Sequence, residues 1–291
     1  MSESVCLNGE IVPAREARVS VFDAGFTHAA GLFETMRVYN GRVMRLPEHI
    51  HRLNHSANTL AMQVSGSREE IARSVDRLLE ANGLCDARVR LTVTPGNVPR
   101  PGQVGDAAPR PTVVLTAAPV RAYPADLYRH GMRVCICPYR QNAANPLAGH
   151  KTLAYLPRLM ALKEAADRKC NEALWFTTNN QLAEGSVCNV FIVRDGTIAT
   201  PPEDTPLLPG TVRKAVLELA RTKGMTIEEH AIDIDALLAA QEVFLTGSVL
   251  EIMPVTAVER HTIGAGVPGD ITRRVSELYH QLVRKECGQD G

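Results

Sequence analysis

Phe33-Glu34-Thr35-Met36-Arg37-Val38-Tyr39-Asn40-Gly41-Arg42-Val43-Met44-Arg45-Leu46-Pro47 carries, in one run, a strand, a turn and the start of a helix. Asn40-Gly41 tolerates positive φ at both positions, as a tight hairpin turn requires, so Phe33 to Tyr39 and Arg42 to Leu46 are read as paired strands. Pro47 lacks an N–H that the first turn of a helix leaves unpaired in any case. Ile50, Leu53, Ala57 and Leu60 then recur at helical spacing as one buried stripe, with Arg52 off its centre.

The same alternation extends in both directions. Upstream, Asn8-Gly9 joins Val5–Leu7 to Ile11–Val12 as a second hairpin. Downstream, Ser67 and Glu70 form a capping box for a helix with Ile71, Val75, Leu78 and Leu79 inward and Gly83 as its stop. In Arg88 to Thr94, Val89, Leu91 and Val93 share one face of a strand while Arg88, Arg90, Thr92 and Thr94 share the other. The proline- and glycine-rich stretch from Pro95 to Pro111 is a long loop, and a strand follows over Thr112 to Ala117. Strands are expected at Arg133–Cys137, Glu172–Thr177 and Glu242–Thr246, and a hairpin at Asp195-Gly196. Helices are expected through Leu159–Arg168, Thr211–Lys223, Asp235–Ala240 and Leu278. Interleaved strands and helices place the fold in the α/β (α+β) class with two domains: an N-terminal α/β domain over 1–118, a linker over 119–130 and a C-terminal domain over 131–291.

Lys plus Arg equals Asp plus Glu at 32 each, so no net field draws the chain to nucleic acid or anionic membrane. The start lacks a basic, apolar leader and no run suits a membrane span, which places the protein in the cytoplasm. Seven cysteines occur without a C-x-x-C pair and read as reduced packing residues, Cys135 and Cys137 on opposite sides of a strand. His49, His51 and His55 lack a convergent carboxylate or cysteine, so no metal site is expected and a polar helix face is preferred.

Four groups of residues carry chemistry. Lys151, in Gly149-His150-Lys151-Thr152-Leu153-Ala154-Tyr155-Leu156, is a candidate Schiff-base lysine, although taken alone it reads first as a solvated lysine before a helix. Thr211 and Val212 open a helix after Leu208-Pro209-Gly210, where unpaired N–H groups suit a phosphate or simply a cap. Gly247 and Ser248 follow an apolar strand and let a ligand approach the backbone; a plain turn explains them equally well. Glu184 enters an apolar strand, where a carboxylate needs a partner such as a protonated pyridine, unless it lies at an exposed edge.

Taken in order, Phe33 to Gly41, Pro47 to Leu53, His150 to Leu156, Glu184 to Phe191, Leu208 to Arg213 and Thr246 to Val255 resemble the class IV, fold type IV, pyridoxal-phosphate aminotransferases. That family includes branched-chain amino acid aminotransferases, D-amino acid aminotransferases, (R)-selective amine transaminases and aminodeoxychorismate lyases. The resemblance implies a small N-terminal domain, a larger C-terminal pseudo-barrel domain that binds the cofactor, and a homodimer. It gives Lys151 the covalent link to pyridoxal 5′-phosphate and the proton transfers, and Glu184 the ring nitrogen. Arg52, Thr211, Val212, Gly247 and Ser248 take the phosphate, and Tyr155 a place near the ring oxygen, with Ala154 where many members carry asparagine.

By the same resemblance, Phe33, Arg37, Arg90 and Arg100 bind substrate. Arg37 and Arg90 match arginines that receive the distal carboxylate of glutamate or oxoglutarate in branched-chain enzymes, which favours an L-amino acid and a 2-oxo acid. Arg100 matches a carboxylate-binding arginine of the D-amino acid enzymes, but Gly102 and Phe33 replace its usual histidine and tyrosine companions. Aminodeoxychorismate lyase, D-amino acid or (R)-amine transaminase, and a cofactor-binding protein without turnover are the alternatives.

Overall fold

A computed structural model describes residues 3–64, 66–97 and 110–288, and the chain falls into two compact units. Of the described residues, the first comprises those within 3–120, 150–154 and 286–288, the second those of 121–149 and 155–285.

The first unit contains β1 (Ser4–Leu7), β2 (Glu10–Pro13), α1 (Ala24–His28), β3 (Leu32–Tyr39), β4 (Arg42–Val43), α2 (Leu46–Thr59), α3 (Arg68–Asn82), β5 (Ala87–Thr94) and β6 (Thr112–Pro119). Its strands form an antiparallel sheet in the order β2-β1-β6-β5-β3-β4. Both hairpins form where Asn8-Gly9 and Asn40-Gly41 stand, all four residues at positive φ. Leu32, Met36 and Val38 of β3, Val89, Leu91 and Val93 of β5, Ile50 and Leu53 of α2, and Val75 and Leu78 of α3 pack into one core. The capping box of α3 forms with both its bonds, and Gly83 closes the helix at φ 62°.

Two expectations change here. The strand read over Arg42 to Leu46 stops at Val43, because Arg45 adopts φ 57° and turns the chain so that α2 starts at Leu46. The polar helix face expected at His49, His51 and His55 holds for His51 and His55, which are exposed, but not for His49, which is 1% exposed beside the buried Arg52.

The second unit contains α4 (Ala125–His130), β7 (Met132–Gln141), α5 (Leu156–Asp167), β8 (Glu172–Thr177), β9 (Leu182–Gly185), β10 (Asn189–Arg194), β11 (Thr197–Thr200), α6 (Thr211–Thr222), β12 (Ile227–Glu229), α7 (Ile234–Leu238), β13 (Glu242–Gly247), β14 (Glu251–Val258), β15 (His261–Thr262) and α8 (Asp270–Cys287). Its mixed sheet runs β12-β11-β10-β13-β14-β7-β8-β9, with β15 on β14. Almost every residue of β8, β9 and β10 is buried, which is why they read as continuous apolar runs. The stretch read as a linker, 119–130, holds α4, and from residue 121 it groups with the second unit. Cys135 and Cys137 share one apolar cluster, as residues two apart on a strand must. Among the described residues, no helix is long and apolar enough to cross a membrane, and no cluster of His, Cys, Asp or Glu is suited to a metal.

Candidate active site

Lys151 belongs to a short segment of the first unit that lies against β3. Phe33 N–H donates to Lys151 O at 2.9 Å, Leu153 N–H donates to Gly31 O at 2.9 Å, and Thr152 pairs with Leu32. Gly31 makes that approach possible, since a Cβ there would meet Leu153 Cδ1 at 2.5 Å and Val93 O at 2.8 Å. The backbone of Lys151 is thus fixed by a strand, and its side chain follows: Nζ stands 4.6 Å from the centroid of the Phe33 ring. The guanidinium of Arg90, from the facing strand β5, lies 3.8 Å from the same centroid. Two cations on one buried aromatic ring place an amine, an apolar wall and a guanidinium side by side.

On the opposite face of β3, Glu34 accepts from Arg52 Nε at 2.8 Å, from Arg52 Nη2 at 2.5 Å and from His49 Nδ1 at 2.7 Å. Burial would raise the Glu34 carboxyl, but Arg52 and His49 outweigh it and hold the group down at about 2. Burial, reinforced by the charges of Arg52 and Lys151, pushes His49 below its ordinary value against the pull of Glu34, so at neutral pH it is an uncharged donor to that acid. This clamp fixes the Arg52 fork. It went unread in the sequence, although Glu34 shares a strand face with Leu32, Met36 and Val38, where an acid demands a partner.

Arg37 stands apart from this group. It is four positions from Phe33, roughly 13 Å along the strand, and it pairs with Asp86 at 3.5 Å while its guanidinium covers Tyr39 at 4.2 Å. Arg100 lies outside the described residues.

The second unit holds its own group. Glu184, 4% exposed on β9, accepts from Arg158 Nη2 at 2.5 Å and Gln141 Nε2 at 3.1 Å through Oε1, and from Leu208 N–H at 2.9 Å through Oε2. Tyr155 O–H donates to Ser186 O at 3.1 Å, and burial pushes the phenol up to about 12, so it stays protonated at neutral pH. Thr211 and Val212, each 5% exposed, form the first turn of α6, whose N-cap Gly210 offers no capping side chain. Gly210 is required: a Cβ would meet Asn189 Oδ1 at 1.9 Å, and Asn189 Nδ2 donates to Leu208 O at 2.8 Å. Buried Arg213 anchors the same turn through Glu229 at 2.7 Å and Pro201 O at 2.8 Å. Gly247 ends β13 and Ser248 enters a turn; just before them Thr246 is 1% exposed with its Oγ1 unpartnered among the described residues.

Residues 31–258 match the family described as amino-transferase class IV, and the chain belongs to that family. It is 34% identical over 290 residues to a putative branched-chain-amino-acid aminotransferase of Methanocaldococcus jannaschii, covering 97% of this chain and 96% of that protein. An aminodeoxychorismate lyase of Bacillus subtilis is 31% identical, with 99% and 97% covered. A D-alanine aminotransferase of Bacillus licheniformis is also 31% identical, with 98% and 99% covered. The branched-chain amino acid aminotransferase of Escherichia coli superposes with a TM-score of 0.92 at 29% identity, over 100% of this chain and 97% of that one. The mixed α/β fold is therefore that of the fold type IV aminotransferases, and the chain is an enzyme of branched-chain-aminotransferase type.

Proposed function

We propose that this enzyme uses pyridoxal 5′-phosphate to move an amino group from an L-amino acid of branched-chain or glutamate type to a 2-oxo acid. The observation that carries the substrate class is the pairing of Arg90 and Lys151 on the Phe33 ring. The ring suits an aliphatic side chain and Arg90 a carboxylate, the two properties that leucine-type and glutamate-type substrates alternate. A branched-chain amino acid aminotransferase from Thermobaculum terrenum, with a TM-score of 0.86 at 27% identity, is seen in its PLP-form, which supports the choice of cofactor.

The residues present fit that cofactor. The orphaned Thr246 hydroxyl beside Gly247 and Ser248, and the α6 turn at Thr211 and Val212, suit a phosphate. So does Arg52, whose planar fork is held in place by Glu34. Glu184 has three donors on a carboxylate that can accept about four, and the remaining capacity, on Oε2, suits a protonated ring nitrogen. Bound there, pyridoxal phosphate supplies an aldehyde that bonds amines and a ring that takes up the electrons of an α-carbanion.

Lys151 Nζ would be the amine that the cofactor aldehyde bonds, and as a free amine it would be the base that takes the substrate α-proton and carries it across to the cofactor side. Tyr155 keeps its own proton and acts as a fixed dipole, not as a base. Arg90 orients the substrate carboxylate, and the Phe33 ring excludes water beside it. Arg37 is assigned an outer role, guiding anionic substrates toward Arg90. Two subunits are proposed to associate as a homodimer.

Borohydride reduction of the cofactor-loaded protein, followed by peptide mapping, should find the pyridoxyl group on Lys151. The Lys151→Ala enzyme should keep weakened cofactor binding and lose turnover by at least about a thousandfold. Label on another lysine, or an active Lys151→Ala enzyme, would overturn the assignment.

A further inference from the structure

Arg158 lies three residues beyond Tyr155 in the first turn of α5, which Pro157 helps to start. Its fork grips two neighbouring groups at once. Nη2 donates to Glu184 Oε1 at 2.5 Å and Nη1 donates to the carbonyl of Gly185 at 2.9 Å. The guanidinium plane is backed by Trp175, whose ring centroid is 4.7 Å from Cζ, and Trp175 is itself held through Nε1–H to Ser186 Oγ at 3.0 Å.

The result is a carboxylate with little rotational freedom. Holding the side chain and the next peptide carbonyl of the same strand fixes Glu184 against both χ rotation and backbone drift. Gln141 completes Oε1, so both acceptor positions of that oxygen are filled, whereas among the described residues Oε2 receives Leu208 N–H alone.

Resting on the proposed pairing of Glu184 with the cofactor ring, we propose that Arg158 is a positioning residue that commits Glu184 Oε1 and thereby presents Oε2 to the protonated ring nitrogen. Its place in the sequence shows how the two are linked: the turn that follows Lys151 and Tyr155 also carries the arginine that aims Glu184. Lysine at position 158 would keep the charge but lose the fork, and methionine would lose both.

The test loads the parent enzyme and the Arg158→Lys, Arg158→Met and Glu184→Gln variants with pyridoxal phosphate carrying 15N in the ring. The ring-nitrogen chemical shift is measured together with kcat and KM for the reaction with L-glutamate. Arg158→Met should move the nitrogen signal toward the unprotonated value and lower kcat about ten- to a hundredfold, with KM changed less than about threefold. Arg158→Lys should fold like the parent and recover only part of both readouts, which keeps the test valid if the methionine variant does not fold. Parent-like nitrogen shift and kcat in folded Arg158→Met or Arg158→Lys protein, whatever the melting temperature, would overturn the role of Arg158. If Glu184→Gln leaves the nitrogen signal of the parent unchanged, it is the pairing of Glu184 with the ring that fails, and Arg158 with it.

Discussion

Glu34 and Glu172 are both fully buried acids, one in each unit, and they end at opposite extremes. Glu34 is surrounded by the Arg52 fork and His49, which hold its carboxyl down at about 2. Glu172, 3% exposed at the start of β8, receives N–H groups from Ala173 at 2.7 Å and Ser186 at 3.0 Å and the thiol of Cys188 at 3.6 Å. No ion pair reaches it among the described residues, and burial raises it above its ordinary value despite those hydrogen bonds. Two peptide donors and a thiol do not replace one guanidinium when a charge is removed from water. Burial thus says little about a carboxylate until its partners are counted. The pairing with Arg52 marks Glu34 as part of the proposed cofactor-holding apparatus, whereas Glu172 braces the turn from Ser186 to Cys188.

The sharpest way to break this contrast is to neutralise each acid without changing its shape. Glu34→Gln leaves buried Arg52 and His49 without an anion and should cost about 3 kcal/mol at pH 7, the scale of the shift from 4.5 to about 2. Urea unfolding would read this, and a loss below about 1 kcal/mol would erase the distinction. Because the folded value lies below the ordinary one, the Glu34 contribution is complete above 4.5 and is lost as the pH falls toward 2. The gap between parent and Glu34→Gln should therefore close over that window.

Glu172→Gln should give a smaller effect with the reverse pH trend. Its folded value is raised, so its contribution is complete below the ordinary value of 4.5 and is lost as the pH rises through the folded value. At pH 7 the variant should be within about 1 kcal/mol of the parent or more stable, and acidification should favour the parent. A loss at pH 7 as large as that of Glu34→Gln would show that the two acids are alike.

The difference between the two sites also explains what could be read from the chain. Hairpins at Asn8-Gly9 and Asn40-Gly41 and the Ser67–Glu70 capping box were legible because their partners are neighbours in sequence. The Glu34 clamp was not, since His49 and Arg52 sit 15 and 18 residues away and become partners only when α2 packs on β3. Arg158 and Glu184 are 26 residues apart on a helix and a strand, and Lys151 meets β3 only through a segment that rejoins the first unit after residue 149. Lys151, Glu184, Thr211, Val212 and Ser248 were proposed from ordered motifs, which single out positions without naming what supports them. Arg45 at φ 57° ended a strand that its apolar neighbours Val43, Met44 and Leu46 would have continued, because no side-chain pattern records a left-handed backbone.

The most direct test of the account is a visible-absorbance titration of the cofactor-loaded enzyme with L-leucine, L-glutamate, D-alanine and D-glutamate, each without an acceptor. The account predicts conversion to the pyridoxamine form with the two L-amino acids, and none with the D-amino acids or in the Lys151→Ala enzyme. An unchanged spectrum with both L donors, or conversion by the D donors alone, would contradict it.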